Sequence, residues 1–229
     1  MIERTAAVPR PRLEARRRAF LDAATAAFLE KGYATTTLDD VIARSGGSRQ
    51  TLYALFGGKQ GLFEALVSER CSKIFEPLAL GGLPERAPDD VLLDLGVRYL
   101  DTVLEPDTIG LYRVVLAEAA SMRELGERFW EMGPGRTRAL LAGYFARQAR
   151  LGVLRLEDSE QASHEFLSML LGPYHMQCLL GLRDRPSRDE LARFVRTAVA
   201  RFLDGCRAQT AAGEGHPGRE DDVPASGRQ

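Results

Sequence analysis

Residues 20–63 read FLDAATAAFLEKGYATTTLDDVIARSGGSRQTLYALFGGKQGLF, and their apolar residues recur at helical spacing in segments separated by glycines. Within this stretch, Thr37-Leu-Asp-Asp40 is a capping-box pattern, whose end residues satisfy free backbone N–H groups at a helix start. The pair Gly46-Gly47 then interrupts the helical pattern, and Ser48 is placed to cap a further short helix. The stretch predicts one longer helix followed by two short helices joined by a glycine turn.

The third predicted helix carries the residue types that a DNA-reading helix needs. Such a helix enters the major groove with small or polar residues at its N-terminal end, and phosphate donors flank it. Arg49 is a donor suited to guanine, and Gln50 is suited to adenine. Thr51, Tyr53 and Lys59 are suited to phosphate oxygens. The pattern favours a helix-turn-helix that binds double-stranded DNA; the other interpretation is a small three-helix module with a solvated polar face.

The rest of the 229-residue chain also predicts helices. Strand alternation and Asn-Gly or Asp-Gly hairpin turns do not occur in the sequence, so we expect an all-α protein. The longest nearly apolar stretch, 167–182, contains polar residues and a proline, and it predicts a buried helix rather than a membrane span. We expect a flexible arm (1–12), a three-helix helix-turn-helix DNA-binding domain (13–58), a helical ligand-binding and dimerisation domain (59–207) and a disordered tail (208–229).

Charge is divided unevenly along the chain, although the net charge is only −1. Residues 1–60 hold ten Lys/Arg and six Asp/Glu, and the remainder is acidic. A basic end on an acidic body is typical of a protein that meets a polyanion with that end. The excess of arginine, 28 residues against 3 lysines, leaves a second interpretation in which arginine is simply abundant throughout.

Motifs for catalysis and metal binding are missing from the sequence. It contains no G-x-S-x-G, H-E-x-x-H or P-loop pattern, and His164 and His175 lie about three helical turns apart, too far for joint ligation on one helix. The three cysteines form no C-x-x-C pair, which disfavours a zinc cage or a disulfide framework. The N-terminus lacks the apolar core of a secretory signal. We therefore expect a cytoplasmic protein that is not an enzyme and uses no metal or cofactor.

The tract TTTLDDVIARSG at 35–46, followed by TLYALFGGKQGLF at 51–63, resembles the N-terminal domain of the TetR family of transcriptional regulators. The resemblance implies an all-helical homodimer whose third helix reads the major groove, and in that family the positions matching Thr36, Tyr53 and Lys59 commonly touch phosphates. Gly47 departs from the family pattern, which usually has a small aliphatic residue there, so we expect a looser turn. The candidate DNA-binding residues are Thr36, Thr37, Ser48, Arg49, Gln50, Thr51, Tyr53 and Lys59.

Residues 111–162 resemble the AefR-type C-terminal domain found among AcrR-like regulators. The last two predicted helices, within residues 159–206, carry apolar stripes, and we expect them to pair with their copies in a four-helix bundle between two protomers. A small apolar effector is expected to enter the body and shift the tilt of the fourth helix. Its candidate lining residues are Tyr99, Tyr112, Trp130, Tyr144 and Met169, although ordinary core packing explains each of them at least as well.

Together these features predict a transcriptional repressor that binds a palindromic operator as a homodimer and is released by the effector. One alternative is a regulator without a small-molecule effector, controlled by a protein partner or by its own abundance. Another is a small-molecule-binding helical protein, or an enzyme, whose N-terminal domain is only structural.

Overall fold

Helical spacing in the sequence is realised throughout the described part of the chain. The computed structural model describes residues 10–79 and 86–207, which contain ten α-helices and no strand. The helices are α1 (Arg10–Lys31), α2 (Leu38–Ser45), α3 (Arg49–Phe56), α4 (Lys59–Ala79), α5 (Pro88–Val103), α6 (Pro106–Glu118), α7 (Arg123–Met132), α8 (Pro134–Arg150), α9 (Ser159–Leu179) and α10 (Arg188–Cys206). The all-α prediction is confirmed, and no helix within these ranges is long and apolar enough to cross a bilayer.

The ends of the chain differ in part from the expected segments. The predicted flexible arm extends to residue 12, but α1 already begins at Arg10, because Pro11 is compatible with a first helical turn. Residues 1–9 and the predicted disordered tail, 208–229, lie outside the described residues. The start of the predicted regulatory domain coincides with the start of α4 at Lys59.

The first three helices and the start of α4, residues 10–66, form a unit that we call the head. Phe20, Phe28 and Phe63 are almost completely buried in its core. The Phe20–Phe56 and Phe28–Phe63 pairs make edge-to-face contacts with ring centroids 6.1 Å apart, a favoured geometry for aromatic pairs. The first pair holds α3 against α1, and the second holds the start of α4 against α1.

The turn between α2 and α3 is packed rather than loose, which corrects the expectation drawn from Gly47. A Cβ atom on Gly47 would lie 2.2 Å from Cζ of Phe20, so the missing side chain makes room for that ring. Gly46 ends α2 in the left-handed conformation with a φ of 65°. The guanidinium of Arg16 donates to the carbonyl oxygens of Ser45 and Gly46 at 3.4 and 3.3 Å. The Phe20 ring and this arginine fix where α3 starts.

Two helices connect the head to the remaining helices, which we call the body. In α4, Leu66 is buried in the head core, whereas Ile74 is buried in the body core formed with α5, α8, α9 and α10. In α6, Leu111 and Val115 are buried in the head core. A displacement of α4 or α6 in the body is therefore transmitted to the head by direct packing.

The apolar stripe of α10 is used inside its own chain. Leu191 and Val195 are fully buried and Phe202 is 6% exposed, and α10 packs on α5 and α9. This corrects the expectation that the stripe pairs with a second copy. A bundle between protomers has to use the opposite face of α10, which carries exposed arginines such as Arg193 and Arg196.

The prediction of a buried helix at 167–182 is wrong for the second half of that stretch. The backbone breaks at Gly172, whose φ of 43° and ψ of −146° are not helical, just before a proline. Beyond this kink the apolar side chains of Met176, Leu180 and Leu182 are 58, 64 and 75% exposed. Three large apolar side chains at one end of α9 therefore face solvent in the single chain.

Candidate functional site

α3 presents a polar face to solvent because its apolar residues anchor the other face. Leu52 and Phe56 are buried in the head core. Arg49 and Gln50 are exposed, and Tyr53 is 49% exposed. The structure thus brings three of the predicted DNA-binding side chains together on the first turns of one helix, the end that a recognition helix inserts into the major groove.

The N-terminal turn of α3 is fixed by its own hydroxyl groups. The Oγ atom of Ser48 accepts a hydrogen bond from the backbone N–H of Thr51 at 3.1 Å. The Ser48 and Thr51 hydroxyl oxygens are also hydrogen-bonded to each other at 2.8 Å. Both side chains therefore hold the helix start in place before any nucleic acid arrives.

Arg49 is paired with a carboxylate on α2, a contact that no sequence pattern predicts. Its Nη2 atom donates to both carboxylate oxygens of Asp39 on α2, at 2.6 and 2.7 Å. The side chains are 58 and 72% exposed, and an exposed ion pair is worth at most about 1 kcal/mol. Arg49 can therefore leave Asp39 for a base edge at little cost, and until then Asp39 limits its rotamers.

The two threonines before α2 have different roles. Thr37 forms the predicted capping box, because its Oγ1 accepts from the backbone N–H of Asp40 at 3.2 Å while its own N–H donates to Oδ2 of Asp40 at 2.9 Å. Hydrogen bonds from Lys31 and Thr37 hold the pKa of Asp40 well below its usual range. Thr36 is only 1% exposed, and its hydroxyl faces the carbonyl oxygens of Ala27 and Gly32. A phosphate contact through the Thr36 hydroxyl does not fit this geometry.

Lys59 is turned towards the protein. Its Nζ atom donates to the carbonyl oxygens of Tyr33, Ala34 and Thr36 at 2.9, 3.1 and 3.0 Å, which uses all three ammonium protons. Burial lowers the pKa of Lys59, and the nearby carboxylate of Glu118 acts against that shift. The side chain fastens the loop between α1 and α2 to α4, so a phosphate contact would require it to leave this loop.

The same loop is also held from the body. The backbone N–H of Ala34 donates to Oε2 of Glu118, at the end of α6, over 2.7 Å. Gly32 has a left-handed φ of 81°, which favours glycine, and a Cβ atom there would lie 2.8 Å from Oε1 of that carboxylate. Sequence reasoning missed Glu118, because a contact over 84 residues leaves no local pattern. The loop that orients α2 is thus clamped by α4 on one side and by α6 on the other.

A cavity of about 50 Å³, partly open to solvent, lies between α4, α5, α6, α7 and α8. Tyr99 and Tyr112, both predicted, line it, and burial raises the pKa of Tyr112 to about 12. Burial likewise raises the pKa of Tyr99, so both phenols are neutral hydrogen-bonding groups at neutral pH. The other lining residues are Val67, Arg70, Cys71, Ile74, Thr102, Val103, Thr108, Leu111, Phe129, Gly133, Pro134 and Thr137.

The other three predicted lining residues lie elsewhere, which corrects the expected set. Trp130 is 48% exposed on α7, with the guanidinium of Arg138 over its ring at 4.6 Å. Met169 borders a surface groove between α9 and α10. Tyr144 is buried in the body core, and its hydroxyl has no hydrogen-bond partner among the described residues. The aromatic character of a residue therefore does not show whether its side chain lines a cavity, lies in the core or is exposed at the surface.

His175 packs edge-on against Tyr112, with ring centroids 4.8 Å apart. The Nε2 atom of His175 is buried without a hydrogen-bond partner among the described residues. Burial lowers the pKa of His175, so the ring is neutral there. The His175 ring therefore packs against Tyr112, one of the two tyrosines that line the cavity.

The arrangement defines a class of protein, in which a helix-turn-helix head that presents an exposed reading helix is carried on a larger helical body. Residues 20–66 match the model of bacterial regulatory proteins of the tetR family, and residues 90–206 match that of the AefR-like transcriptional repressor C-terminal domain. The second match covers half of the chain. The chain therefore belongs to the TetR family of DNA-binding transcriptional regulators, which confirms the resemblance found in the sequence.

Relatives of known sequence or structure agree with this assignment. The chain is 26% identical over 191 residues to the uncharacterised helix-turn-helix transcriptional regulator YvkB of Bacillus subtilis, covering 82% of this chain and 95% of that protein. A crystal structure of a protein assigned to the TetR family from Mesorhizobium loti is 27% identical, with a TM-score of 0.69 over 86% of this chain and 98% of that one. The flavonoid-responsive regulator FrrA is 26% identical, with a TM-score of 0.64 over 85 and 98% of the two chains.

Proposed function

We propose that this regulator is a repressor that binds a palindromic operator as a homodimer and is released when a small molecule enters the body. The observation that carries the proposal is α3, with Arg49, Gln50 and Tyr53 exposed on a helix that Ser48 and the head core hold in place. Base-edge contacts by Arg49 and Gln50 would specify sequence, and Tyr53 would contribute to register on the phosphate backbone.

Two copies of α3 are needed for a palindrome. Half-sites one turn apart require recognition helices about 34–36 Å apart, and a two-fold dimer through 159–206 would supply that spacing. The exposed side chains of Met176, Leu180 and Leu182 support an interface at this end of α9, because clustered exposed apolar side chains mark association sites. The arginine-bearing face of α10 would complete it.

Release by a small molecule rests on the cavity and its position. The cavity is bordered by α4 and α6, the two helices that also pack in the head core. A ligand that favours a different tilt of these helices shifts the population of DNA-competent dimers, and a 100-fold change in operator affinity needs a coupling of only about 2.7 kcal/mol. The flavonoid response of FrrA supports an aromatic small molecule as one kind of effector.

One observation favours the alternative of a regulator without a small-molecule effector, controlled by a protein partner or by abundance. The cavity has a volume of only about 50 Å³, whereas a cavity known to bind benzene has a volume of about 150 Å³. An effector must therefore enlarge the cavity as it binds. Under the alternative the cavity stays closed, and no small molecule shifts operator binding.

The experiment that tests the DNA-binding proposal is selection of bound sequences from random duplexes. The expected result is a palindrome with half-sites one helical turn apart, and a changed preference at one base pair per half-site for Arg49→Ala or Gln50→Ala. Arg98→Ala removes an exposed arginine on α5 and serves as the matched control. A selection that returns an asymmetric single site, or the same preferences from all variants, contradicts the proposal.

A further inference from the structure

Arg70 lies on the second half of α4, where it borders two spaces at once. Its side chain is only 15% exposed. It lines the cavity, and it also lines a groove on the outside of the molecule between α1, α4 and the start of α6. Arg70 therefore lies between the cavity and this outer groove.

The charge of Arg70 is incompletely compensated. Its Nε atom donates to Oγ1 of Thr108 at 3.1 Å, and Nη1 makes a long contact of 3.4 Å to the carbonyl oxygen of Leu66. The carboxylate of Asp107 lies 4.0 Å from Nη2, beyond hydrogen-bond distance, and is 56% exposed. A guanidinium has five donors, and a largely buried cation without a close anion is unfavourable.

The remainder of the cavity wall is apolar or neutral. Arg70 is the only charged residue among the described lining residues. The other polar groups are three threonine hydroxyls, one thiol and the two neutral phenols of Tyr99 and Tyr112. Among the described lining residues, the site thus combines a single cationic side chain with an otherwise apolar or neutral wall.

We propose that the effector is an organic acid, with one carboxylate bound by Arg70 and a compact apolar body between Tyr99 and Tyr112. This inference rests on the proposed function of the cavity as the effector site. A carboxylate accepts two parallel hydrogen bonds from a guanidinium, so it matches the donors that Thr108 and Asp107 leave open. A neutral apolar molecule of the same shape leaves Arg70 as poorly compensated as before.

Binding of such an acid would also move the wall that leads to the head. Since the cavity is only about 50 Å³, a ring or a short chain separates α4 from α6 as it enters. The hydrogen bond from Arg70 to Thr108 joins these two helices, and their separation breaks it while the carboxylate stays paired with the other donors of Arg70. Helix α4 can then move with the ligand, and its first half moves the head.

The test compares acids with their own amides, which have nearly the same shape and no charge. Isothermal titration of the full-length protein with 4-methylbenzoate, 4-methylbenzamide, octanoate and octanamide separates charge from shape, and aryl from alkyl bodies. We expect at least one acid to bind at least ten-fold more tightly than its amide. Equal affinities within both pairs, or no binding by any of the four, overturn the proposal.

Substitutions at Arg70 and Asp107 test whether Arg70 is responsible for the preference for acids. Arg70→Gln is expected to abolish the preference for the acid, and Asp107→Asn to increase it, because the competing carboxylate is gone. Arg98→Gln, an equal charge change on the exposed side of α5, is the control and should leave the preference unchanged. A thermal melt checks that Arg70→Gln is folded; if it is not, the Asp107→Asn result decides. An acid preference that is unaltered in Arg70→Gln or Asp107→Asn contradicts the role of Arg70.

DNA binding is measured separately, by fluorescence anisotropy on the selected duplex without ligand. Operator binding together with equal affinities for acids and amides means that the inference fails and the regulator function stands. An acid preference in a protein that binds no duplex means that the inference about the effector stands and the proposed operator binding fails.

Discussion

Replacing Lys59 by Met is expected to destabilise the head rather than to remove a phosphate contact. The side chain makes three hydrogen bonds to carbonyl oxygens of the loop between α1 and α2, at 2.9–3.1 Å. A hydrogen bond to a charged group contributes about 1.5–3 kcal/mol, but these three share one charge and one desolvation cost. We expect a loss of about 2–3 kcal/mol in the free energy of unfolding, which lowers Tm by about 4–12 °C in a chain of this size.

The assay is a thermal melt followed by circular dichroism, together with operator binding at several salt concentrations. Lys73→Met is the matched control, since Lys73 is exposed on the same helix. If Lys59 has a structural role, Lys59→Met lowers Tm and leaves the salt slope of operator binding by the folded variant unchanged. If Lys59 binds a phosphate, the substitution reduces that slope by about one. A Lys59→Met variant that melts within about a degree of the control but has the smaller slope would refute the structural role.

Three further substitutions test other parts of the account. Gly47→Ala places a Cβ atom 2.2 Å from the Phe20 ring and should cost about 1–3 kcal/mol in urea unfolding; adding Phe20→Leu should recover part of the loss, and full stability of Gly47→Ala contradicts the packed turn. Arg49→Ala should weaken operator binding by about 1–3 kcal/mol, measured by anisotropy, and unchanged affinity removes Arg49 from direct readout. Leu180→Asp, at a side chain 64% exposed in the single chain, should give monomers in analytical ultracentrifugation with an unchanged helical spectrum, whereas a stable dimer places the interface elsewhere.

The head could be predicted from sequence because its signals are local. A capping box spans four residues, and Ser48 caps the helix that follows it directly, so backbone chemistry alone placed α2 and α3. The pairing of Arg49 with Asp39 joins two helices, and the contact of Glu118 with Ala34 joins head and body. Such contacts depend on tertiary packing, and one sequence carries no sign of them.

The body shows what an apolar stripe can and cannot predict. The stripe of α10, with Leu191 and Val195, correctly indicates burial, but periodicity does not say whether the burying surface belongs to the same chain or to a second copy. The cavity residues were found only in part for a similar reason. Tyr99 and Trp130 are both aromatic residues on helices, and only the packing of neighbouring helices puts one in a cavity wall and the other at the surface.

Methylation interference on a selected operator tests most directly whether two copies of α3 read the major groove, because it reports which groove α3 enters. Guanine N7 lies in the major groove and adenine N3 in the minor groove. The account predicts interference by N7 methylation at guanines in two half-sites one helical turn apart, lost at one guanine per half-site in Arg49→Ala. Interference confined to adenine N3, or to a single site, would contradict major-groove reading by two copies of α3.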